Sequence, residues 1–133
     1  NKLTQDWLSE QAKYPNEWYA FGTHVIFNND IYFLTSHRKE GGTGLMRVDA
    51  ETGARLSFDQ TYVFGNLLGV GNKLIMLAEN GELIWGDLST DGFKESFRQN
   101  IFEGLCWSTP VLVNDRLYAR DAEGTVVCLQ LKK

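Results

Sequence analysis

A short apolar pattern recurs three times in this chain at a spacing of 43 residues, and it restricts the fold more than any other feature of the sequence. The offset from Ile31 to Leu74 equals the offset from Leu74 to Leu117. In each copy, an apolar run precedes a small group of Asn, Asp or Gly residues, and a second apolar run follows. Self-similarity at this period indicates a repeat architecture, in which one supersecondary unit packs against the next.

Each copy predicts a series of antiparallel hairpins. The tight turns at 28–30, 71–72 and 114–115 consist of residues that tolerate positive φ, as two-residue hairpin turns require. Every copy has three predicted strands, and the first two copies continue to a fourth. The predicted strands are Thr23–Phe27, Ile31–Ser36, Leu45–Asp49 and Arg55–Gln60, then Asn66–Val70, Leu74–Ala78, Glu82–Asp87 and Phe93–Gln99, then Thr109–Val113, Leu117–Asp121 and Thr125–Leu131.

Four antiparallel strands in about 43 residues are typical of one blade of a β-propeller. We therefore predict an all-β fold of about three four-stranded antiparallel blades, at 23–60, 61–103 and 104–133, of which the third lacks its fourth strand. An ordinary β-sandwich built from hairpins is the alternative. Because propellers close with about four to eight blades, three blades form an incomplete ring.

An incomplete ring predicts a partner, because the two end sheets would otherwise expose apolar faces. The chain would either form a homo-oligomer or be part of a larger propeller. The N-terminal segment 1–22 lies before the first blade. Its sequence allows a short helix, from the capping and apolar spacing of Thr4–Gln11, or a strand that completes another blade.

Composition excludes several classes of protein. The chain has 133 residues and a net charge of −4, without the basic stripe that a nucleic-acid binder needs, so we expect no nucleic-acid partner. Its apolar runs are far shorter than the roughly 20 residues that span a bilayer, so we expect no membrane span. Cys106 lies just before one predicted strand and Cys128 lies late in a strand two places along the same sheet, too distant for a disulfide, which predicts free, half-buried thiols.

Aromatic residues before the first strand of each copy are the best candidates for ligand or partner binding. Phe21, Phe64 and Trp107 recur at the same spacing, as do Tyr19 and Tyr62. In a propeller these positions lie at one mouth of the ring, where a sugar, a peptide or a quinone could stack. Packing between blades is the alternative. The full candidate set is Trp18, Tyr19, Phe21, His24, Tyr62, Phe64 and Trp107.

No motif in the sequence indicates a catalytic residue, a cofactor-binding residue or a metal ligand. His24 and His37 are the two histidines, and neither has the spacing of a metal site. The chain also has no nucleophile elbow. We therefore expect a protein without catalytic residues and without a metal or another cofactor.

The residues at the ends of the blades resemble those of the pyrroloquinoline-quinone repeat propellers. The first blade ends in Asp49-Ala50-Glu51-Thr52-Gly53-Ala54-Arg55-Leu56, similar to the Asp-x-x-Thr-Gly-x-x-Leu-Trp ending of that family. The third blade, from Cys106 to Leu129, looks like the last blade of such proteins. The resemblance implies C-terminal blades and a periplasmic or secreted location. Ser57 stands where the family's docking Trp would be expected.

These observations predict a non-catalytic segment of a propeller that acts as a binding or scaffold module for a protein or a small ligand. One alternative is a fragment of a quinone-dependent dehydrogenase, which would hold pyrroloquinoline quinone over the channel. The other alternative is an excised repeat segment with no independent function.

Overall fold

Strands and their connecting turns make up the fold of this chain. The computed structural model describes residue 4 and residues 18–19, 22–37 and 42–131. All regular elements among these residues are β-strands, and no helix in this part of the chain is long and apolar enough to cross a membrane. The strands are β1 (Trp18–Tyr19), β2 (Val25–Phe27), β3 (Asp30–His37), β4 (Thr43–Asp49), β5 (Arg55–Asp59), β6 (Gly65–Val70), β7 (Lys73–Ala78), β8 (Glu82–Ser89), β9 (Gly92–Asn100), β10 (Val111–Val113), β11 (Arg116–Arg120) and β12 (Val126–Gln130).

The strands form three separate antiparallel sheets. Sheet 1 contains β1 to β5, sheet 2 contains β6 to β9, and sheet 3 contains β10 to β12. Within each sheet the strands follow one another in chain order, except that β1 and β2 both pair with β3. Sheet 1 therefore has four strand positions, as sheet 2 does, and sheet 3 has three. The prediction of an all-β chain is confirmed, and each predicted strand is found to within one or two residues at either end.

The first turn of each sheet repeats in backbone conformation as well as in sequence. Asn28, Gly71 and Asn114 lie 43 residues apart and have positive φ of 55°, 58° and 56°. Each is the first of two residues that link a strand pair, such as Val113 and Arg116 in sheet 3. Gly and Asn are the residues that adopt this conformation at least cost. The repeat seen in the sequence is therefore a repeat of hairpin geometry.

Sheet 2 lies in the middle, with apolar side chains packed against both of its faces. Leu74 and Met76 belong to a core cluster shared with Tyr32 and Leu34 of sheet 1. Ile75 packs in a cluster with Leu117 of sheet 3, on the opposite face. Because successive strand residues point to opposite faces, a strand covered on both sides needs a continuous apolar run. This explains why Leu74–Ala78 has no polar alternation.

The link between β4 and β5 forms the tight turn that its sequence suggests. The Asp49 carboxylate accepts hydrogen bonds from the backbone N–H of Thr52 (2.7 Å), the backbone N–H of Glu51 (2.9 Å) and the Thr52 hydroxyl (2.9 Å). The bonds from Thr52 and Glu51 lower the pKa of Asp49 below its ordinary value. Gly53 follows with a φ of 72° and closes the turn through its N–H to the Asp49 carbonyl.

Part of the N-terminal segment belongs to sheet 1. Trp18 pairs with His37 and Tyr19 with Ser36, so β1 lies on the same side of β3 as β2 and extends the first strand position of that sheet. Residues 5–17 lie outside the described residues. The predicted helix at Thr4–Gln11, and a strand from this segment in another blade, therefore stay predictions.

Both thiols are free, as predicted, but neither is half-buried. Cys106 is fully buried between sheets 2 and 3, whereas Cys128 is exposed on β12. The prediction of intermediate burial was wrong because the two residues occupy different environments. Cys106 lies before β10 and points into the core, and Cys128 points away from sheet 2.

Candidate functional site

Two of the candidate aromatic residues, Tyr62 and Phe64, lie on the segment that connects sheet 1 to sheet 2. Tyr62 packs in the core between sheets 1 and 2, edge-on to Phe93 with 5.7 Å between ring centroids. Burial, together with the nearby Glu95 carboxylate, raises the pKa of Tyr62 to about 12. Phe64 is half-buried at the start of sheet 2. The Tyr62 ring therefore contributes to packing, and its surface is not open to a ligand.

The remaining candidates are Trp107, His24, Trp18, Tyr19 and Phe21, and the exposure of the side chain is known for the first two. Trp107 has 63% of its surface exposed, and His24 is exposed with its ring centroid 5.3 Å from that of Phe33. Trp18 and Tyr19 lie in β1, and Phe21 lies outside the described residues. Among the candidates whose side chains the structure describes, Trp107 therefore has the largest exposed aromatic surface.

Backbone hydrogen bonds join the segments before the first strands of sheets 2 and 3 to the turns between second and third strands, either of the same sheet or of the preceding one. The Glu79 N–H donates to the Phe64 carbonyl (2.7 Å), and the Glu79 carbonyl accepts from the Cys106 N–H (3.0 Å). The Ala122 N–H donates to the Leu105 carbonyl in the same way (2.7 Å). The turns between second and third strands thus lie beside the residues that lead into the first strands, and Trp107 is at the sheet 3 end of this row.

Several large apolar residues are exposed on sheet 3, on the side away from sheet 2. Leu112, Leu117 and Leu129 point towards sheet 2 and pack in the core cluster there. The alternate residues point outward, and we call this side the free face. Its members are Val111, Val113, Arg116, Tyr118, Arg120, Val126, Cys128 and Gln130.

The free face corresponds, position by position, to faces that are buried in the other two sheets. Tyr32, Ile75 and Tyr118 lie 43 residues apart, and their exposed fractions are 1%, 4% and 36%. Tyr32 packs against sheet 2 and Ile75 against sheet 3. Tyr118 occupies the same position, but it has no further sheet beside it among the described residues.

The third strand of each sheet shows the same progression. The second-strand residues Leu34, Leu77 and Arg120 lie 43 residues apart. Their cross-strand partners on the third strands are Leu45, Leu83 and Val126, which therefore occupy equivalent positions. The exposed fractions of the three third-strand residues are 4%, 1% and 64%. The free face therefore has the placement and much of the composition of an internal contact surface.

The face of sheet 1 that points away from sheet 2 differs from the free face, because part of its apolar surface is covered. Met46 and Val48 point away from sheet 2, on the far face of sheet 1, and both are buried. The expectation that both end sheets would be bare is therefore wrong for these positions of sheet 1. It holds for sheet 3, where the three outward valines and Tyr118 are exposed.

A shallow depression lies on the free face, with a volume of about 270 Å³. Val111, Tyr118, Arg120 and Val126 line it together with Ser108 and Thr109. Sites for small molecules usually measure about 300–1,000 Å³ and enclose most of their ligand. The depression is smaller than that and open, so it would not enclose a drug-sized molecule.

A second, more polar cleft separates sheets 1 and 2 at their outer ends. Arg47 donates from Nε to Asp30 Oδ2 (2.7 Å) and from Nη2 to the Thr90 carbonyl (2.8 Å), so it links the two sheets. The buried Tyr32 hydroxyl lies near this ion pair without a hydrogen bond of normal geometry. Burial raises the pKa of Tyr32, although the Arg47 charge opposes the shift. The cleft measures about 190 Å³, and we interpret its contacts as a clamp between sheets.

Within the residues that the structure describes, no three His, Cys, Asp or Glu side chains are grouped closely enough to hold a metal ion. The carboxylates instead form turns and ion pairs, as in the bonds from the N–H groups of Glu123 and Thr125 to Asp121 Oδ1. The sequence did not single out the residues of the free face. Their signal was the repeat itself, because Tyr118 and Val126 follow buried counterparts in sheets 1 and 2.

Comparison with solved structures identifies similar folds at low sequence identity. The computationally designed Ika8 protein matches with a TM-score of 0.55 and 14% identity, over 81% of this chain and 32% of that one. The computationally designed Ika4 protein matches with a TM-score of 0.54 and 14% identity, over 82% of this chain and 64% of that one. The chain thus spans less than two thirds of the length of either protein. No family model and no curated protein matches it.

Proposed function

We propose that the three sheets are consecutive blades of a β-propeller-type array, and that the chain is a non-catalytic scaffold that binds another sheet through its free face. The observation that carries this proposal is the burial series of Tyr32, Ile75 and Tyr118. The next sheet covers this repeat position in sheets 1 and 2, at Tyr32 and Ile75, whereas Tyr118 in sheet 3 is exposed. A surface of this kind is expected to pack against a further sheet of the same type.

The blade assignment rests on how the sheets pack. Three consecutive antiparallel sheets lie face to face, each with its strands in chain order, and the middle one is covered on both sides. This is the relation between neighbouring blades in a propeller. The similar designed proteins support it in one respect, since a three-sheet unit like this one fits within longer chains.

We also propose that the blades are of the pyrroloquinoline-quinone repeat type, without its cofactor. The support is the turn from Asp49 to Gly53, where the sequence resembles that family's blade ending and the Thr52 N–H and hydroxyl donate to the Asp49 carboxylate. The role of a scaffold follows from the chemistry of the open surface. Its centre consists of Val111, Val113, Tyr118 and Val126, which can bury apolar area but offer no group for catalysis.

The further sheet belongs to a second copy of the chain or to additional blades of a longer protein. For the chain on its own, the proposal predicts reversible self-association through the free face. Each outward valine buried at a contact would contribute about 1 kcal/mol. A Val126→Glu substitution places a carboxylate in the middle of this surface, where its desolvation opposes the contact.

Sedimentation velocity over a wide range of concentrations tests the proposal. We expect the wild-type chain to associate as its concentration rises, and Val126→Glu to weaken this association by about tenfold or more. Leu56→Glu is the matched control, because Leu56 is an exposed aliphatic residue on the outer strand of sheet 1. A wild-type chain that remains monomeric throughout the range would overturn the proposal, as would equal effects of the two substitutions.

A further inference from the structure

No strand of the described residues pairs with the outer edge of β12, and this open edge is a feature separate from the free face. In sheet 1, β4 pairs with β3 on one side and β5 on the other, and in sheet 2, β8 pairs with β7 and β9. Among the described residues, β12 pairs with β11 alone. Its second side therefore presents backbone N–H and C=O groups that a further strand could bond.

The composition of β12 is that of a strand with neighbours on both sides. Its residues, Val126 to Gln130, carry no charge and include no proline or glycine. The outer strands of the other sheets are charged, with Arg55 and Asp59 in β5 and three charged residues in β9. Charged side chains are a usual means by which edge strands avoid pairing with other chains. β12 has no such protection.

Sheet 2 supplies the register in which a strand would add to β12. Leu83, Trp85 and Asp87 of β8 lie 43 residues before Val126, Cys128 and Gln130, and they pair with Gln99, Phe97 and Lys94 of β9. Phe97 stacks on Trp85, with 3.8 Å between ring centroids and 10° between the planes. An added antiparallel strand would therefore place an aromatic residue beside Cys128.

Two arginines near this edge, Arg116 and Arg120, form no ion pair with another residue that the structure describes. Asp30, Lys73 and Arg116 occupy the same repeat position, and the first two form ion pairs with Arg47 and Asp87 of their own third strands. In sheet 3 the corresponding residue is Gln130, which donates to Asp115 instead (3.0 Å). No carboxylate of the described residues lies within 4.0 Å of the guanidinium groups of Arg116 or Arg120.

We propose that the open edge of β12 binds an extended, acidic segment of a partner protein, which adds as an antiparallel fourth strand of sheet 3. Main-chain hydrogen bonds along β12 would supply affinity, and alternate side chains would supply specificity, as in other cases of strand addition. Acidic residues opposite Gln130 and Val126 would come within reach of Arg116 and Arg120. An aromatic residue between them would cover Cys128.

Synthetic peptides based on β9 of this chain are suitable probes, because its sequence already fits the fourth position of such a sheet. The acidic peptide is Gly92–Asn100 with Lys94→Glu and Gln99→Glu, and the basic peptide keeps Lys94 and has Gln99→Lys. A third peptide adds Phe97→Pro and Arg98→Pro to the acidic one, away from the unpaired bulge residue Ser96. Because successive N–H groups of a strand point to opposite sides, one of the two lost donors faces β12, and strand pairing is disrupted. Each is labelled with a dye, and its binding to the full chain is followed by fluorescence anisotropy at low and high salt.

We expect the acidic peptide to bind about tenfold more tightly than the basic one at low salt, with the difference reduced at high salt. The Arg116→Gln/Arg120→Gln double variant should remove that difference while keeping the melting temperature of the wild type. Hydrogen exchange of the β12 amides should slow when the acidic peptide binds.

Equal binding of the acidic and basic peptides would overturn the proposal, as would equal binding of the proline peptide. A third outcome is that no peptide binds, while the chain associates with itself and its β12 amides become protected from exchange. A second copy then occupies the edge, and the acidic-segment proposal is wrong. Because the Val126→Glu experiment measures association through the free face, its failure and the failure of the strand proposal are separate results.

Discussion

At the scale of single residues, the turns are the part of the structure that local sequence determines most directly. Asn28, Gly71 and Asn114 share one backbone conformation because the two-residue link between paired strands requires positive φ. At these positions the backbone conformation is the main requirement on the residue type. Turn positions could therefore be predicted from residue type alone, without knowing how the sheets pack.

A pair of substitutions at Asn114 tests this explanation. Asn114→Ala should lower the free energy of unfolding by about 1 kcal/mol, because a Cβ-bearing residue other than Asn or Asp adopts this conformation only with strain. Asn114→Gly should leave stability within about 0.5 kcal/mol of the wild type. Urea denaturation of both variants measures the difference, and an alanine variant as stable as the glycine variant would contradict it.

At the scale of strands and sheets, prediction succeeded for the strands and fell short for contacts between sheets. Strand boundaries depend on apolar periodicity and turn residues, which are local. Two other features depend on packing across the molecule. One is the position of Tyr62 in the core, and the other is the bulge at which β5 shifts register against β4, between Arg47 and Val48. For the candidate site, the sequence therefore left open whether the aromatic residues pack or bind.

The Arg47 clamp is the clearest contact of this long-range kind. Arg47 bonds Asp30 within sheet 1 and the Thr90 carbonyl of the β8–β9 turn in sheet 2, and both charged side chains are largely buried. Nothing in the local sequence around Arg47 identifies Thr90 as its partner. The clamp links the two sheets beside the Tyr32 and Phe93 side chains.

A double-mutant cycle measures how strongly the clamp contributes. We expect Arg47→Met and Asp30→Asn to be coupled by about 2 kcal/mol in unfolding free energy, since each single change leaves a largely buried partner unpaired. The control is the exposed pair of Lys73 and Asp87 in sheet 2, whose cycle should give less than about 1 kcal/mol. Similar coupling energies for the two pairs would show that burial does not strengthen the Arg47 pair.

At the scale of the whole molecule, the number of repeat copies matters more than any single residue. Sheets 1 and 2 each pack their outward positions against the next sheet, and sheet 3 leaves the same positions exposed. The sequence predicted bare apolar ends because three copies do not close a ring. It did not indicate that Met46 and Val48 are buried on the far face of sheet 1, because the cover of a face depends on tertiary structure.

The two thiols allow the central claim, that the free face is the contact surface, to be tested in place. Cys128 lies exposed on that face, whereas Cys106 is buried, and burial together with the nearby Asp121 charge raises the pKa of its thiol. Because the thiolate is the reactive form, a maleimide reagent should modify Cys128 quickly and Cys106 slowly. The rate at Cys128 then reports whether the free face is covered.

The decisive measurement is the rate of Cys128 modification as a function of protein concentration, assigned by mass spectrometry and followed in the wild type and in Val126→Glu. We predict that the wild-type rate falls as concentration rises, while the variant keeps the fast rate at every concentration. A wild-type rate that does not change with concentration, in protein that nevertheless associates, would show that association uses another surface and would contradict the account.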